Sequence, residues 1–246
     1  MRRFISLFLC LILLLSLFSC AGRTRNRMGV GIYTDLDSDR SAIGGNDGHT
    51  KYVHTVAAIT EDKDGRITAC DIDVVEILVE FTATGKAKLA SEYKSKGELG
   101  DSYGMKKAGA KLEWYEQRDA FCKAVIGKTV DEIKGAVKED GKGSDFIISA
   151  GCTVKVDDFV RAIIKADEKA EPVSGRTDRL KLTLTTDTEG KDATDTDPGV
   201  ISAKTRIKVD ADGMDSIEKS ADFKVWFSKT GILQPEPDEK LGIKSR

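Results

Sequence analysis

Hydrophobic and polar residues alternate along two separated segments of the chain, residues 53–85 and 201–231. An alternation with a period of two predicts β-strands that bury one face. Each segment contains an Asp-Gly pair between its two alternating runs, Asp64-Gly65 in the first and Asp212-Gly213 in the second. Because glycine accepts the positive φ angle of a tight turn, each segment is predicted to form a β-hairpin.

The two segments also match at positions outside the turns. Phe81 matches Phe227, and Thr84-Gly85 matches Thr230-Gly231. A weaker echo follows, in which Glu98-Leu99-Gly100 matches Lys240-Leu241-Gly242. We therefore predict an internal repeat. The alternative is that two unrelated hairpins share an Asp-Gly turn because that turn is common.

Between the two hairpins, the spacing of the apolar residues changes to that of helices. Apolar stripes predict three helices, near residues 114–126, 129–139 and 156–169. Thr129 and Glu132 have the spacing of a capping box at the start of the second helix. The predicted fold class is therefore α+β, with an antiparallel β-sheet packed on about three α-helices and followed by a β-rich partial repeat.

The second copy of the hairpin is followed by no helices, so its sheet must be covered by the first copy or by a partner. The predicted organisation has five parts: residues 1–19 as a signal peptide, 20–50 as an N-terminal tether and first strand region, 51–170 as the main domain, 171–198 as a linker, and 199–246 as a truncated second repeat. The linker is rich in Thr, Asp, Gly and Lys and could include a strand at residues 180–184.

The N-terminus has the parts of an export signal: Arg2 and Arg3, an apolar run over residues 4–18, and small Ser19 before Cys20. The run is shorter than the roughly 20 residues of a membrane-spanning helix. Residues 17–20 resemble the lipobox of bacterial lipoproteins, whose cysteine takes a diacylglycerol. The resemblance implies lipidation of Cys20, as by palmitate, and an extracytoplasmic position on the cell membrane or outer membrane. The alternative is an ordinary signal peptide in which Cys20 is incidental.

The number and distribution of charged residues limit the kinds of molecule that the chain is expected to bind. Of 39 basic residues, Arg2 and Arg3 lie in residues 1–19, which leaves 37 basic against 41 acidic residues, a formal charge of −4. The basic residues are interleaved with acidic ones, so no nucleic-acid partner is expected.

Three cysteines follow Cys20: Cys70, Cys122 and Cys152. An odd number cannot all pair within one chain, although one pair could be oxidised outside the cytoplasm. The chain has only two histidines, His49 and His54, which we expect in surface or turn positions. No metal site is predicted, because zinc needs about four clustered nitrogen or sulfur ligands.

Further segments follow the Asp64-Gly65 hairpin: Phe81–Lys86, Glu98–Lys106, Glu113–Gln117 and Val125–Lys134. In this order they resemble a group of bacterial envelope lipoproteins that are related to the flavin mononucleotide (FMN)-binding domain family and are sometimes labelled major membrane immunogens. The resemblance covers about residues 53–170, and the C-terminal part only through the repeat. It implies an FMN-binding-like domain over residues 51–170.

In the flavin-binding relatives, a Ser-Gly-Ala-Thr segment precedes the last helix, and the phosphate of FMN is esterified to its threonine. Gly151, Cys152 and Thr153 occupy that place, so the resemblance implies that they bind the cofactor, with Thr153 as the acceptor. Cys152 replaces the alanine, and Ala150 replaces the residue before the glycine. These departures argue against covalent attachment. They leave open a noncovalent phosphate contact at the start of the helix, or a purely structural role in which Thr153 caps or precedes the helix.

Aromatic residues near this segment could contact a flavin ring. Trp114 and Tyr115 could stack on it, and Tyr103-Gly104-Met105 could form a pocket wall, although aromatic residues at helical spacing more often belong to a core. The function that the resemblance implies is extracytoplasmic electron transfer by a bound flavin with an envelope redox partner. No catalytic residue of the chain's own is predicted.

Two alternative functions remain open. One is a noncatalytic surface lipoprotein that binds a partner and has lost the flavin site. The other is a lipoprotein that binds a small ligand, which a closed pocket between the repeats would favour.

Overall fold

The computed structural model of the chain describes residues 25–90, 92–174 and 178–236. The predicted signal peptide, Cys20 and the echo at Lys240-Leu241-Gly242 lie outside the described residues.

The first half contains β1 (Arg27–Arg40), β2 (Gly48–Glu61), β3 (Ile67–Phe81), β4 (Ala87–Lys88), α1 (Lys96–Leu99), a 3-10 turn (Gly100–Tyr103), α2 (Trp114–Val125), α3 (Val130–Lys134), α4 (Asp145–Ala150) and α5 (Asp157–Glu168). The second half contains β5 (Glu171–Pro172), β6 (Leu180–Lys191), β7 (Gly199–Ala211), β8 (Ile217–Phe227) and β9 (Leu233–Gln234).

The strands form two antiparallel sheets, and the fold is a strand-rich mixture of α and β structure. The first sheet has the order β4-β3-β2-β1-β5, and the second has the order β6-β7-β8-β9. Helices cover one face of the first sheet, and the second sheet packs on its other face. The described chain therefore has three layers, with the first sheet in the middle.

The middle position of the first sheet explains the sequence of β2. Ala57 and Ile59 point toward the helices, whereas Val56 and Ala58 point toward the second sheet. Since both faces are buried, these four residues form a continuous apolar run instead of an alternating one.

The second sheet has one buried and one polar face. Along β7, Ala203, Ile207 and Val209 are buried against the first sheet. Lys204 and Arg206 alternate with them and are exposed. Because this outer face is polar, the second sheet needs no helices to cover it.

Positions that match in sequence occupy equivalent places in the two sheets. The rings of Phe81 and Phe227 stack on each other, with centroids 4.7 Å apart and planes at 7°. Ala42 N donates to Gly231 O at 2.7 Å, and Ala193 N donates to Gly85 O, also at 2.7 Å. Gly65 and Gly213 both adopt positive φ angles, 73° and 75°, in the two predicted turns.

The equivalence extends to the strand before each hairpin. In the first sheet β1 pairs with β2, with Arg40 opposite His49. In the second sheet β6 pairs with β7 in the same way, with Lys191 opposite Val200. The repeated unit is thus four strands, β1 to β4 and β6 to β9, rather than the predicted hairpin.

Two predicted boundaries differ from the structure. The region 20–50, predicted as a tether and first strand region, contributes the full 14-residue strand β1. The region 171–198, predicted as a linker, contains β5 and the 12-residue β6, which extends well beyond the expected strand at 180–184. Its threonines suggested a loop, but threonine is a strand-forming residue, and the leucines Leu182 and Leu184 are buried at alternating positions.

The three predicted helices correspond to α2, α3 and α5, but α3 ends at Lys134, before Gly135, rather than near residue 139 as predicted. The capping box at Thr129 is confirmed, since its hydroxyl accepts from Glu132 N and the Glu132 side chain accepts from Thr129 N. The short helices α1 and α4 were not predicted, because four to six residues are too few for an apolar stripe. Within the part of the chain that the structure describes, no helix is both long enough and apolar enough to span a membrane.

Candidate functional site

The three residues predicted to bind the cofactor form the connection from α4 to α5. Gly151 ends α4 with a φ angle of 115°, a conformation that glycine adopts readily. Cys152 is fully buried in the core beneath the helices, and Thr153 is exposed. The side chains of Cys152 and Thr153 therefore point into different environments.

The backbone amides of these three residues are already hydrogen-bonded. Gly151 N donates to Ile148 O at 3.0 Å, and Cys152 N donates to Ile147 O at 3.2 Å. Thr153 N donates to Gln117 Oε1 at 2.9 Å. Consequently none of the three offers a free N–H to a phosphate, and the noncovalent contact expected from the sequence lacks its donors here.

The start of α5 is also unfavourable for an anion. Its first turn contains Asp157 and Asp158. Burial, followed by the charges of Asp157 and Asp35, raises the pKa of Asp158, which shows that the carboxylates disfavour one another. Carboxylates at a helix N-terminus use the positive end of the helix dipole that a phosphate would need.

The position of Cys152 differs from the expectation that it contacts a cofactor. Its burial raises the pKa of the thiol to about 11. The side chain is directed into the apolar core with Ile147, Val156 and Phe159. It therefore acts as a packing residue, because a small apolar side chain fills the space below the loop.

Thr153 is held by a buried glutamine. Its hydroxyl donates to Gln117 Oε1 at 2.9 Å, so one amide oxygen accepts both Thr153 N–H and O–H groups. Gln117 is 2% exposed, and its Nε2 donates to Leu112 O at 3.3 Å. The N-cap of α5 is Val156, without a side-chain cap, so Thr153 precedes this helix but does not cap it.

A cleft of about 630 Å³ begins directly after Thr153, which is followed by the lining residues Val154 and Lys155. It lies between β1 and β2 on one side and the starts of α2 and α5 on the other. Aromatic and sulfur-containing side chains form much of its wall: Tyr33, Tyr103, Met105, Trp114 and Phe159. Three carboxylates and three cations also line it: Asp35, Asp157, Asp158, Lys96, Lys155 and Arg161. The cleft thus combines flat apolar surfaces with balanced charge.

The predicted stacking residues separate in the structure. Trp114 contributes to the cleft wall but is only 4% exposed, and its ring meets Phe159 edge-on at 6.0 Å. Tyr115 is absent from the cleft lining, and its hydroxyl donates to Asp101 at 3.2 Å. Tyr103 is 36% exposed and offers more free ring surface than either.

Lys96 connects the aromatic wall to the first sheet. Its ammonium lies 5.1 Å from the centre of the Tyr103 ring and 5.9 Å from that of Trp114. It also forms an ion pair with Glu76 at 2.7 Å. Burial is the largest single influence on the pKa of Lys96 and acts to lower it, but the hydrogen bonds and charge interactions with Glu76 and Tyr103 together outweigh burial, and the pKa is raised. Lys96 is therefore a fixed positive charge at the cleft.

Glu113 shapes the wall formed by Tyr103, Gly104 and Met105. Its carboxylate is buried and accepts hydrogen bonds from Met105 N at 2.8 Å and Lys106 N at 3.0 Å. Glu116 accepts from Glu113 N at 2.7 Å and completes the cap of α2. Sequence reasoning missed Glu113 and Gln117 as positioning residues, and the only available signal was a polar residue within an apolar helical stripe.

The thiols and histidines do not form a metal site among the described residues. Cys70, Cys122 and Cys152 are free thiols. A hydrogen bond with Cys70, together with burial, raises the pKa of Cys122, so these two thiols are neighbours. His54 is buried rather than at the surface, and its Nδ1 lies 2.7 Å from Thr34 Oγ1. The surface position expected for His54 is therefore wrong, because β2 is covered by the second sheet.

Comparison of the chain with protein-family models, with curated proteins and with solved structures found no match. The interpretation of the cleft therefore depends on its own chemistry.

Proposed function

We propose that this chain is a lipid-anchored extracytoplasmic protein whose first repeat carries a flavin, with FMN attached at Thr153. The observation that supports this most directly is the position of Thr153, an exposed residue in the loop that leads directly into a cleft walled by Tyr103, Met105 and Trp114. A bound flavin supplies one- and two-electron transfer, which protein side chains alone do not. The chain then serves as a redox carrier that exchanges electrons with an envelope partner.

The chain's own residues position the cofactor in this proposal. Before attachment, Gln117 accepts from both the N–H and the O–H of Thr153 and so orients the hydroxyl. Esterification removes the hydroxyl proton, and the bond from Thr153 N then holds the loop. Tyr103 and Met105 supply flat and polarisable contact surface for an aromatic ring. Lys155, two residues after Thr153, offsets negative charge near the attachment point. The amides of residues 151–153 have no N–H left for a phosphate, whereas the Thr153 oxygen donates its proton to Gln117 and keeps its lone pairs, so attachment through this oxygen fits the loop better than a noncovalent phosphate cradle.

The proposed lipid anchor is tested by substituting Cys20. We expect radiolabelled palmitate to be incorporated into the wild-type chain and not into Cys20→Ala. The matched control is Cys70→Ala, which removes another thiol and should label normally. Continued labelling of Cys20→Ala would contradict the lipid anchor.

The flavin proposal is tested with protein purified from the membranes of a bacterium that exports it. We expect yellow protein with absorbance at about 450 nm, as flavin gives, and a phosphoflavin adduct on the peptide that contains Thr153. Thr153→Val should remove the adduct, Thr153→Ser should restore it, and Thr183→Val, an exposed threonine on the second sheet, is the control. Colourless wild-type protein without an adduct would overturn the proposal.

The second candidate is a noncatalytic surface lipoprotein that uses the same fold without flavin. The carboxylates Asp157 and Asp158 at the start of α5 and the occupied amides of the Thr153 loop favour it. It predicts that the wild-type chain remains colourless after incubation with FMN and that calorimetry shows no heat of binding.

A further inference from the structure

A second cavity lies between the two repeats, on the opposite face of the first sheet from the Thr153 cleft. It has a volume of about 490 Å³ and lies where β1 of the first sheet faces β8 of the second. We call such a line of contact between strands of the two sheets a seam. Thr50 and Tyr52 of β2 line it, whereas Val53 and Thr55 of the same strand line the Thr153 cleft. The two sites are therefore separated by the sheet itself. We call this second cavity the seam groove.

A second seam lies on the other side of the two stacked sheets, where β3 of the first sheet faces β6 of the second. This seam is closed by direct contacts. Leu182 N of β6 donates to the Asp71 carboxylate of β3 at 2.8 Å. Tyr93 bridges to Thr186 of β6, and its hydroxyl donates to Leu78 O of β3. An aromatic side chain with a polar tip therefore fills this seam and is satisfied there.

The same positions in the two seams carry different chemistry. From the pairing of the strands, Thr50 matches Ile201, Tyr52 matches Ala203, and Phe223 matches Ile77. Ile201, Ala203 and Ile77 are all buried in the apolar core. The seam groove thus replaces three apolar packing residues by a hydroxyl group and two aromatic rings, which makes it a lined cavity instead of a packed contact.

Two buried polar atoms in the seam groove have no hydrogen-bond partner within the described residues. Thr50 is 3% exposed, and its Oγ1 is unpartnered. Nε1 of Trp226 is also buried and unpartnered. Burying a polar group without a partner is unfavourable, and such groups are rare in folded proteins unless something else satisfies them. An indole N–H and a hydroxyl together suit a ligand oxygen.

The charges and rings of the seam groove define the rest of the ligand. Three carboxylates and one cation line it: Asp39, Asp222, Glu236 and Lys224. The Lys224 ammonium lies 5.9 Å from the centre of the Trp226 ring, which leaves the Tyr52 and Phe223 rings for a ligand. Neither Asp39 nor Asp222 belongs to an ion pair among the described residues. The Tyr52 and Phe223 rings lie 4.0 Å apart between their centroids and are tilted by 35°. Aromatic faces and unpaired carboxylates both attract an organic cation.

We propose that the seam groove binds a small organic ammonium cation that also carries an oxygen, of the choline type. The ammonium group lies among the aromatic rings and the two carboxylates, and the oxygen accepts from Trp226 Nε1 and interacts with Thr50. The proposal does not depend on flavin binding, because the seam groove and the Thr153 cleft share no residue.

The test is calorimetric titration of the full-length chain in detergent with choline. The matched probe is 3,3-dimethyl-1-butanol, which has the same shape without the charge. We expect saturable binding of choline and at least about fivefold weaker binding of the neutral compound. Absence of choline binding, or equal affinity for the two compounds, would overturn the proposal.

Variants locate the binding and guard against misfolding. Asp222→Asn should weaken choline binding at least about fivefold, whereas Asp212→Asn, an exposed carboxylate in the β7–β8 turn, and Thr153→Val should leave it unchanged. The chain has two tryptophans, Trp114 and Trp226, so a change of fluorescence on adding choline should persist in Trp114→Phe and disappear in Trp226→Phe. Melting curves establish that each variant is folded. A signal that follows Trp114 instead would contradict the assigned site.

Discussion

The first and second sheets are built from the same four-strand unit, yet among the described residues only the first sheet is covered by helices. The inner faces are apolar in both, with Val56 of β2 matched by Ile207 of β7. The outer faces differ, since Ala57 of the first sheet is matched by Lys208 of the second. One face of each sheet therefore holds the two repeats together, and the other face decides whether the sheet is covered by helices or exposed to water.

The largest effect on stability is expected from exchanging matched residues on the outer faces of the two sheets. Ala57→Lys puts the second sheet's lysine into the helix core, where Ala57 is fully buried, and we expect a loss of more than about 4 kcal/mol of unfolding free energy. Lys208→Ala should change it by no more than about 0.5 kcal/mol, because that side chain is half exposed. Urea denaturation measures both.

A neutral variant separates charge from size at the same position. Ala57→Met adds a side chain of similar length without charge and should cost about 1–3 kcal/mol by overpacking. If Ala57→Lys and Ala57→Met were equally stable, the charged face would not be what excludes helices from the second sheet.

The next largest effect on stability is expected at the apolar faces by which the two sheets pack on each other. Phe227→Ala and Phe81→Ala each remove one ring of the stacked pair, and both residues are fully buried. We expect each variant to lose about 3–5 kcal/mol. The double variant should lose less than the sum of the two losses, since the rings contact each other. Strictly additive losses in denaturant titrations would show that the two rings do not depend on one another.

A smaller effect on stability is expected from His54, which lies on the inner face of the first sheet where the second sheet has Thr205. The pair Thr34–His54 in the first sheet is matched by Thr186–Thr205 in the second. Burial lowers the pKa of His54 to about 4 from an ordinary value of 6.5, against the opposing charge of Asp222. Between these values the unfolded chain binds a proton that the folded chain does not. Stability therefore falls as the pH drops from 6.5 to 4, by about 3 kcal/mol.

His54→Thr, which installs the residue of the second sheet, should abolish this part of the acid sensitivity. His49→Thr is the control, since it removes the other histidine. The measurement is the free energy of unfolding of the three proteins between pH 4 and pH 7. An identical pH dependence of His54→Thr and wild type would rule out His54 as the source.

The smallest expected effect concerns a feature that the two repeats share. Gly65 and Gly213 have φ angles of 73° and 75° in their turns, so alanine at either position should cost about 1–2 kcal/mol. The thermal shift at Gly213 should reflect the backbone conformation alone, since nothing lies within 4 Å of an added Cβ, and the shift at the buried Gly65 should be at least as large. A large difference would mean that one turn is constrained by more than its backbone conformation.

Much of the fold followed from local patterns. The alternating runs and Asp-Gly turns predicted both hairpins, and Thr129 with Glu132 predicted the start of α3. The strands β1 and β6 were harder, because a strand buried on both faces loses its alternation and a threonine-rich strand resembles a loop. One signal was present in the sequence, since Ala42 and Gly48 have the same spacing as Ala193 and Gly199.

The candidate site was predicted less completely than the fold. The sequence indicated that Thr153 precedes a helix, and the structure has it in the loop before α5. It could not indicate that Gln117 binds this loop, because the two residues are 36 positions apart and meet only through packing of α2. Glu113 was missed for a similar reason, as a single glutamate at a helix start carries no signal of the loop that it holds.

By itself, the sequence determined where the two Asp-Gly turns and three of the helices, α2, α3 and α5, begin, because glycine conformation, capping and apolar spacing act over a few residues. It also supplies the motif that predicts lipidation at Cys20. Only the tertiary structure decided which face of each sheet is covered, that Cys152 is directed into the core, and that a polar groove separates β1 from β8. These features depend on side chains brought together by the packing of one repeat on the other, and no short stretch of sequence contains both partners.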